Sequence, residues 1–337
     1  MVRKLRESVS PRTFFRLFAH MQMMPILESG EETLVGGQAV MEGVMMRAPH
    51  SYCVAVRKAT GEVVTEDLPL SRMSERYPIF RYPVMRGLGT LYQALKLGGR
   101  ALRFSANAAL DNPELQKAGQ PAPKEMPAWS LAMPVIFSVG FFLFAYKFLP
   151  LLIVTKLAHL YPVLNNRFAF NTVDGVVRLL ILLGVLYTVS RNKEIRRVFQ
   201  YHGAEHKVVF NFESGQPVTV ENAQRFSTFH PRCGTSFLFV VFLISIPIYA
   251  LVPWQGFAAK LLARIVLLLP IAGLSYELIR FAAKRPGGLM AVLTAPGLWT
   301  QRITTKPPSD DQAAVAIQAL EGAMTLEKAQ GGQLVIA

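Results

Sequence analysis

The stretch TSFLFVVFLISIPIYALV, residues 235–252, runs for eighteen positions without a charge. About 20 mainly apolar residues are what a helix needs to cross the hydrocarbon of a bilayer, so this stretch reads as a spanning helix. Working outward, Ser130–Val154 and Phe257–Ala282 meet the same criterion, and Val173–Ser190 does so slightly short. The whole chain agrees: of 337 residues 51% are hydrophobic and 17% charged, with a mean hydropathy of +0.30, too apolar for a soluble domain of this length. The fold class expected is an α-helical integral membrane protein of about four transmembrane helices with a small cytoplasmic α+β N-terminal region.

Charges inside the spans are few: Lys147, then Asp174 and Arg178, then Lys260, Arg264, Glu277 and Arg280. They read as lying near the span ends, where long basic side chains snorkel to the headgroups. Almost no midplane charge argues against transport. Between the first two spans only Lys156 and Arg167 are basic, whereas the next loop carries Arg191, Lys193, Arg196, Arg197, Lys207, Arg225 and Arg232. The positive-inside rule puts that second loop and both termini in the cytoplasm, and Lys284, Arg285, Arg302 and Lys306 agree. The localisation expected is therefore multi-pass in a cytoplasmic membrane. The net charge of +14 is a topological signal and an attraction to anionic lipid. No nucleic acid is expected, because the basic residues are scattered among acids instead of forming a stripe. The partners implied are the bilayer, other membrane proteins and a second copy of the chain.

Five regions follow along the chain. Residues 1–30 form a basic leader, with no apolar core and cleavage site of a secretory signal. Residues 31–110 hold a β-meander, with Tyr52–Arg57 alternating and a Thr60-Gly61 turn, and then an amphipathic helix over Val84–Ala109 that Gly98-Gly99 would split. Residues 111–129 are a linker. Residues 130–282 are the four-span domain, including a cytoplasmic His/Cys segment at 191–234, into which the second span runs without a breaker. Residues 283–337 are a tail, with a loop around Ala295–Arg302 and an amphipathic helix over Asp310–Ala329. Trp254 and Trp299 read as interface anchors. Cys53 reads as a small core hydrophobe, and the two cysteines are not a disulfide framework.

Chemistry concentrates in YHGAEHK, residues 201–207, and HPRCGTS, residues 230–236, which hold three of the six histidines and one of the two cysteines. His202 and His206, four apart, share a helix face with Ile195 and Phe199. His-x-x-Glu-His is the inverted order of the zinc-protease helix motif, in which two imidazoles hold an ion and the carboxylate acts as general base. His230 and Cys233 add an imidazole and a thiol on a tight turn, a donor set suited to zinc, with iron second. Three arrangements compete. Four ligands, His202, His206, His230 and Cys233, would close a structural shell; three would leave an open position with Glu205 as base. Glu277, costly near the end of a span unless partnered, is the reserve ligand. Without a metal, the histidines would be satisfied interfacial side chains with no ion, or Cys233 at a helix N-terminus would be a nucleophile. Glu42 reads as a solvent-facing strand position, and Gly36-Gly37 and Gly43 as bulges or turns.

The blocks GGQAVMEGVMMR (36–47), YHGAEHK (201–207), HPRCGTS (230–236) and PGLWTQ (296–301) resemble the signature blocks of the YqhQ-type family of bacterial membrane proteins, over roughly residues 30–325. The resemblance implies a bacterial membrane protein from a family of unknown function in which a metal-dependent enzyme is conjectured. With an open site the reaction expected is hydrolysis of a peptide, lipid or other membrane-associated substrate; the alternative is a non-catalytic scaffold or assembly factor with a structural metal.

Overall fold

The computed structural model describes residues 35–71, 73–110, 128–230, 233–253, 255–284 and 288–329. The leader, nearly all of the linker, Pro231, Arg232 and Trp254 lie outside the described residues.

Strands β1 (Gly36–Val40), β2 (Gly43–Arg47), β3 (Ser51–Arg57) and β4 (Val63–Pro69) form one antiparallel sheet in sequence order. The register pairs Val44 with Ala55, Met45 with Val54 and Met46 with Cys53. Successive side chains on a strand face opposite ways, and here both ways are covered. Val44, Met46, Cys53 and Ala55 pack against helices α5 (Lys193–Glu213) and α11 (Asp310–Ala329). Met45, Tyr52, Val54 and Val56 pack against Leu97 and Ala101 of α1 (Met85–Leu110). The alternation expected over Tyr52–Arg57 is therefore a division between two apolar layers, with no solvent face. The tail helix α11 closes the sheet from the far end of the sequence, and Gly322 lets it approach: a Cβ there would lie 2.6 Å from Cys53 Sγ. Burial pushes the Cys53 thiol up to about 12, with Asp67 and Glu66 adding to it, so it is the small core hydrophobe its position suggests.

Helix α1 does not split at Gly98-Gly99. The missing Cβ of Gly98 leaves room for the Gln38 amide, which would lie 2.6 Å from it and which donates to Ala94 O at 3.4 Å. Packing against the sheet thus offsets the weak helix propensity of the pair.

The apolar part is a helical bundle. Helix α2 (Ala128–Leu143) continues through a π turn at Phe144–Phe148 into α3 (Leu149–Leu160). Then come α4 (Arg167–Val189), α7 (Gly234–Leu251) and the pair α8 (Phe257–Val266) and α9 (Leu268–Lys284). Among the described residues three helices are long and apolar enough to cross a membrane, Ile136–Leu160, Arg167–Val189 and Gly234–Leu251, and a fourth span results if the α8–α9 pair, bent by 46°, counts as one. Their outward faces carry large exposed apolar residues such as Ile136, Phe137, Leu180 and Leu262, a surface suited to lipid.

Three sequence expectations are corrected here. Helix α4 stops at Val189, and Asn192 caps α5, its side chain accepting from the Glu194 and Ile195 amides at 2.8 and 3.4 Å; the span does not run on into the histidine motif. The segment around Pro296 is no loop: α10 (Gly288–Thr304) passes through it, pressed so closely on α7 that a Cβ on Gly297 would sit 2.8 Å from Ser236 Cα. Nor are the span charges terminal. Arg178 is the twelfth residue of the 23-residue α4 and only 1% exposed, beside fully buried Asp174.

Candidate metal centre

Helix α5 carries His202, Glu205 and His206 because its apolar stripe (Tyr201, Ala204, Val208) docks on the sheet and on α11. That docking turns the histidine face toward the N-terminus of α7, where Cys233 is the N-cap residue. Cys233 Sγ lies 3.3 Å from His202 Nε2. One ligand atom from each of His202, His206 and Cys233 falls within 4.8 Å of the others.

The second ring nitrogen of each histidine is held by the backbone. His202 Nδ1 lies 2.9 Å from Thr304 O, and His206 Nδ1 lies 2.5 Å from Thr228 O. A carbonyl only accepts, so in the neutral rings Nδ1 carries the hydrogen and Nε2 keeps its lone pair. The Thr304 carbonyl is free to accept because it belongs to the last turn of α10, whose carbonyls have no partner within the helix. Chain 305–306 reaches this position across Gly203, where a Cβ would lie 2.1 Å from Lys306 O, and Lys306 N donates to Phe199 O at 2.9 Å.

Glu205 is 6% exposed, with its carboxylate 3.4 Å from His206 Nε2. Strand β1 lies directly over it: a Cβ on Gly37 would meet Glu205 Cγ at 2.7 Å and Met45 O at 2.6 Å. The Gly36-Gly37 pair therefore forms a wall of the site, a stronger role than a turn or bulge. Between β1, α5 and the start of α7 lies a cavity of about 130 Å³ lined by His202, Glu205, His206, His230 and Cys233.

His230 shares the cavity but stands further off. Its ring centroid is 5.5 Å from that of His206 and 4.5 Å from that of Phe210, and its Nε2 lies 3.6 Å from Glu213 Oε2. Burial lowers its pKa, so the ring is neutral at pH 7. Its backbone is clamped by Gln301, whose Oε1 accepts from His230 N at 2.8 Å and whose Nε2 donates to His230 O at 2.8 Å and to Ser236 Oγ at 3.1 Å.

Glu277 is not at this site. It forms an ion pair with Arg86, accepting from Nε at 2.7 Å, and also accepts from Val84 N at 3.2 Å. The partner that its half-buried position calls for is thus Arg86, and Glu277 fastens the start of α1 to α9. Val84 has a φ of 68°, a strained conformation for a β-branched residue, and it packs where a Cβ on Gly273 would lie 2.5 Å from Val84 Cγ1. Glu42 lies in the β1–β2 turn with a φ of 53° and pairs with Arg197 on α5. Burial and that carboxylate push the nearby Tyr201 hydroxyl up to about 12.

Gln301, Gly203 and the Thr228 and Thr304 carbonyls are missing from the sequence reading. Gly203 had a signal, a glycine inside a helix between two functional residues; backbone carbonyls have none.

A family profile described as "Protein of unknown function (DUF1385)" matches residues 82–326. The "Uncharacterized protein YqhQ" of Bacillus subtilis (strain 168) is 34% identical over 297 residues, which is 87% of this chain and 92% of that protein. No solved structure matches.

Proposed function

The chain belongs to the YqhQ-type DUF1385 family of unknown function, and from that premise we propose, on its own geometry, a membrane protein with a zinc site at its cytoplasmic face. The ligands are His202, His206 and Cys233, and Glu205 is the general base. The observation that carries this reading is the pairing of both Nδ1 atoms with backbone carbonyls while the cluster's ligand atoms converge. Fixing a histidine ligand through its other nitrogen is the usual outer-sphere arrangement of metal sites. Two imidazoles and one thiol fit zinc, or iron less well.

A bound zinc would supply Lewis acidity and a water of lowered pKa. The chain's own part is to hold three donors and place the Glu205 carboxylate 3.4 Å from one ligand nitrogen, where it can take a proton from water. The reaction class this suits is hydrolysis of a membrane-associated substrate. One observation favours a second, non-catalytic reading: about 130 Å³ is below the roughly 300–1,000 Å³ of ordinary ligand pockets, and His230 borders the cavity as a fourth donor. In that reading the metal staples α5 to α7 in a scaffold or assembly factor.

Elemental mass spectrometry of the purified chain tests both. The proposal expects about one zinc per chain, lost in His206→Ala and Cys233→Ser. Retention in His230→Ala supports the open site, and loss there the closed staple. A wild-type chain that stays metal-free after incubation with zinc, or a His206→Ala variant that keeps a full complement, overturns the metal site itself.

A further inference from the structure

At the end of the bundle opposite the His/Cys cluster, the last turns of α3 and α7, the first turns of α4 and the start of α8 enclose a cavity of about 380 Å³. Its lining includes Arg264, Lys260, Arg167, His159, Asn171 and Thr155, and, among the described residues, no carboxylate. Arg264 and Asn171 are buried on its floor, while His159 and Arg167 are exposed at its rim. Every charge that the described part of the wall offers is positive.

The network behind the floor does not neutralise that charge. Asp174, fully buried, faces Arg178 Nε at 3.0 Å and Arg264 Nη2 at 3.1 Å, so one carboxylate serves two guanidiniums. Neither guanidinium can lose its proton. The π turn adds a third basic group, Lys147, 2% exposed, whose Nζ donates to the Tyr249 hydroxyl at 3.2 Å. Among the described residues this buried set carries an excess of one positive charge if Lys147 is neutral and of two if it is protonated. An uncompensated cation in an apolar bundle is strongly unfavourable. Arg264 Nε and Thr155 Oγ1 are also buried with no hydrogen-bond partner among the described residues, donors left over beside the cavity.

We propose that this cavity binds an anionic phosphate group, with Arg264 and Lys260 as its charged ligands and Arg167 at the entrance. A guanidinium fork matches tetrahedral oxyanions, and the volume admits a phosphate together with the first atoms of whatever carries it. The source is either the headgroup of an anionic phospholipid or a free phosphate. The site is independent of the metal centre, being at the other end of α4 and α7.

The full chain, reconstituted in phosphatidylcholine nanodiscs, is melted with and without inorganic phosphate at constant ionic strength, and in parallel in nanodiscs containing phosphatidylglycerol. A rise in Tm of several degrees with inorganic phosphate identifies a free anion as sufficient; a rise with phosphatidylglycerol alone identifies a lipid headgroup. In either case Lys260→Gln and Arg167→Gln, neither of which removes an ion pair of Asp174, are expected to lose at least half of the rise, and Lys193→Gln at the opposite end none. No rise with either ligand, or a full rise in both cavity variants, overturns the proposal.

Discussion

Gln301 shows how one side chain can fix the geometry of a site it never enters. Its amide satisfies both backbone groups of His230 and the Ser236 hydroxyl, and all three residues are buried. Gln301→Leu keeps approximate volume and removes every one of these bonds. A buried polar group left unsatisfied costs about 1–3 kcal/mol, so the variant is expected to melt several degrees lower, with faster hydrogen exchange at the His230 amide; an unchanged melt would show that water replaces the side chain. At this scale the sequence was legible where chemistry is local. His202 and His206 share a face because of helix periodicity, and Cys233 was visible as a rare thiol beside a helix start. Glu277 was misread because its partner, Arg86, lies 191 positions away, and neither composition nor spacing announces such a pair.

At the scale of elements, the break between α4 and α5 decides where the histidines face. Had the helix run straight on, the axis of α4 would have carried His202 and His206 away from the sheet that now covers them. Ser190–Asn192 turns the chain, and the Asn192 side chain satisfies two of the orphan amides at the new start. Asn192→Ala should therefore cost about 1 kcal/mol of stability, read as a Tm lowered by a few degrees with the metal content unchanged; loss of the metal as well would mean that the cap also sets the angle of α5. The cap was present in the sequence as an asparagine two residues before Glu194, but no glycine or proline between Val185 and Phe199 marks the break. The converse error occurred at α10, where Pro296-Gly297 suggested a loop. There the close α7 crossing at Gly297 holds the helix together, a tertiary contact that overrides local punctuation. The helix over α1 survived its two glycines for a similar reason.

For the molecule as a whole, the two cavities lie at opposite ends of the same helices, and the orientation of the bundle decides which compartment each one meets. Helix α7 begins at Gly234 beside the His/Cys cluster and ends at Leu251 near the basic cavity, 18 residues that span about 27 Å at 1.5 Å per residue, close to the thickness of a hydrocarbon core. Seven lysines and arginines lie between α4 and α7, whereas between Val154 and Val173 there are only Lys156, near the end of α3, and Arg167, at the start of α4, so the positive-inside rule predicts that the His/Cys end faces the cytoplasm and the basic cavity faces outward. Single cysteines provide the check. Val163, 69% exposed between α3 and α4, and Gln216, exposed just after α5, mark the two ends, while the native Cys53 and Cys233 are buried and should stay silent to a membrane-impermeant maleimide. In intact spheroplasts Val163→Cys is expected to label and Gln216→Cys to label only after lysis. The reverse pattern would place the His/Cys site outside the cell. A thiol ligand would then stand in an oxidising compartment, and the substrate of a hydrolase there would come from the outer face of the membrane instead of the inner one.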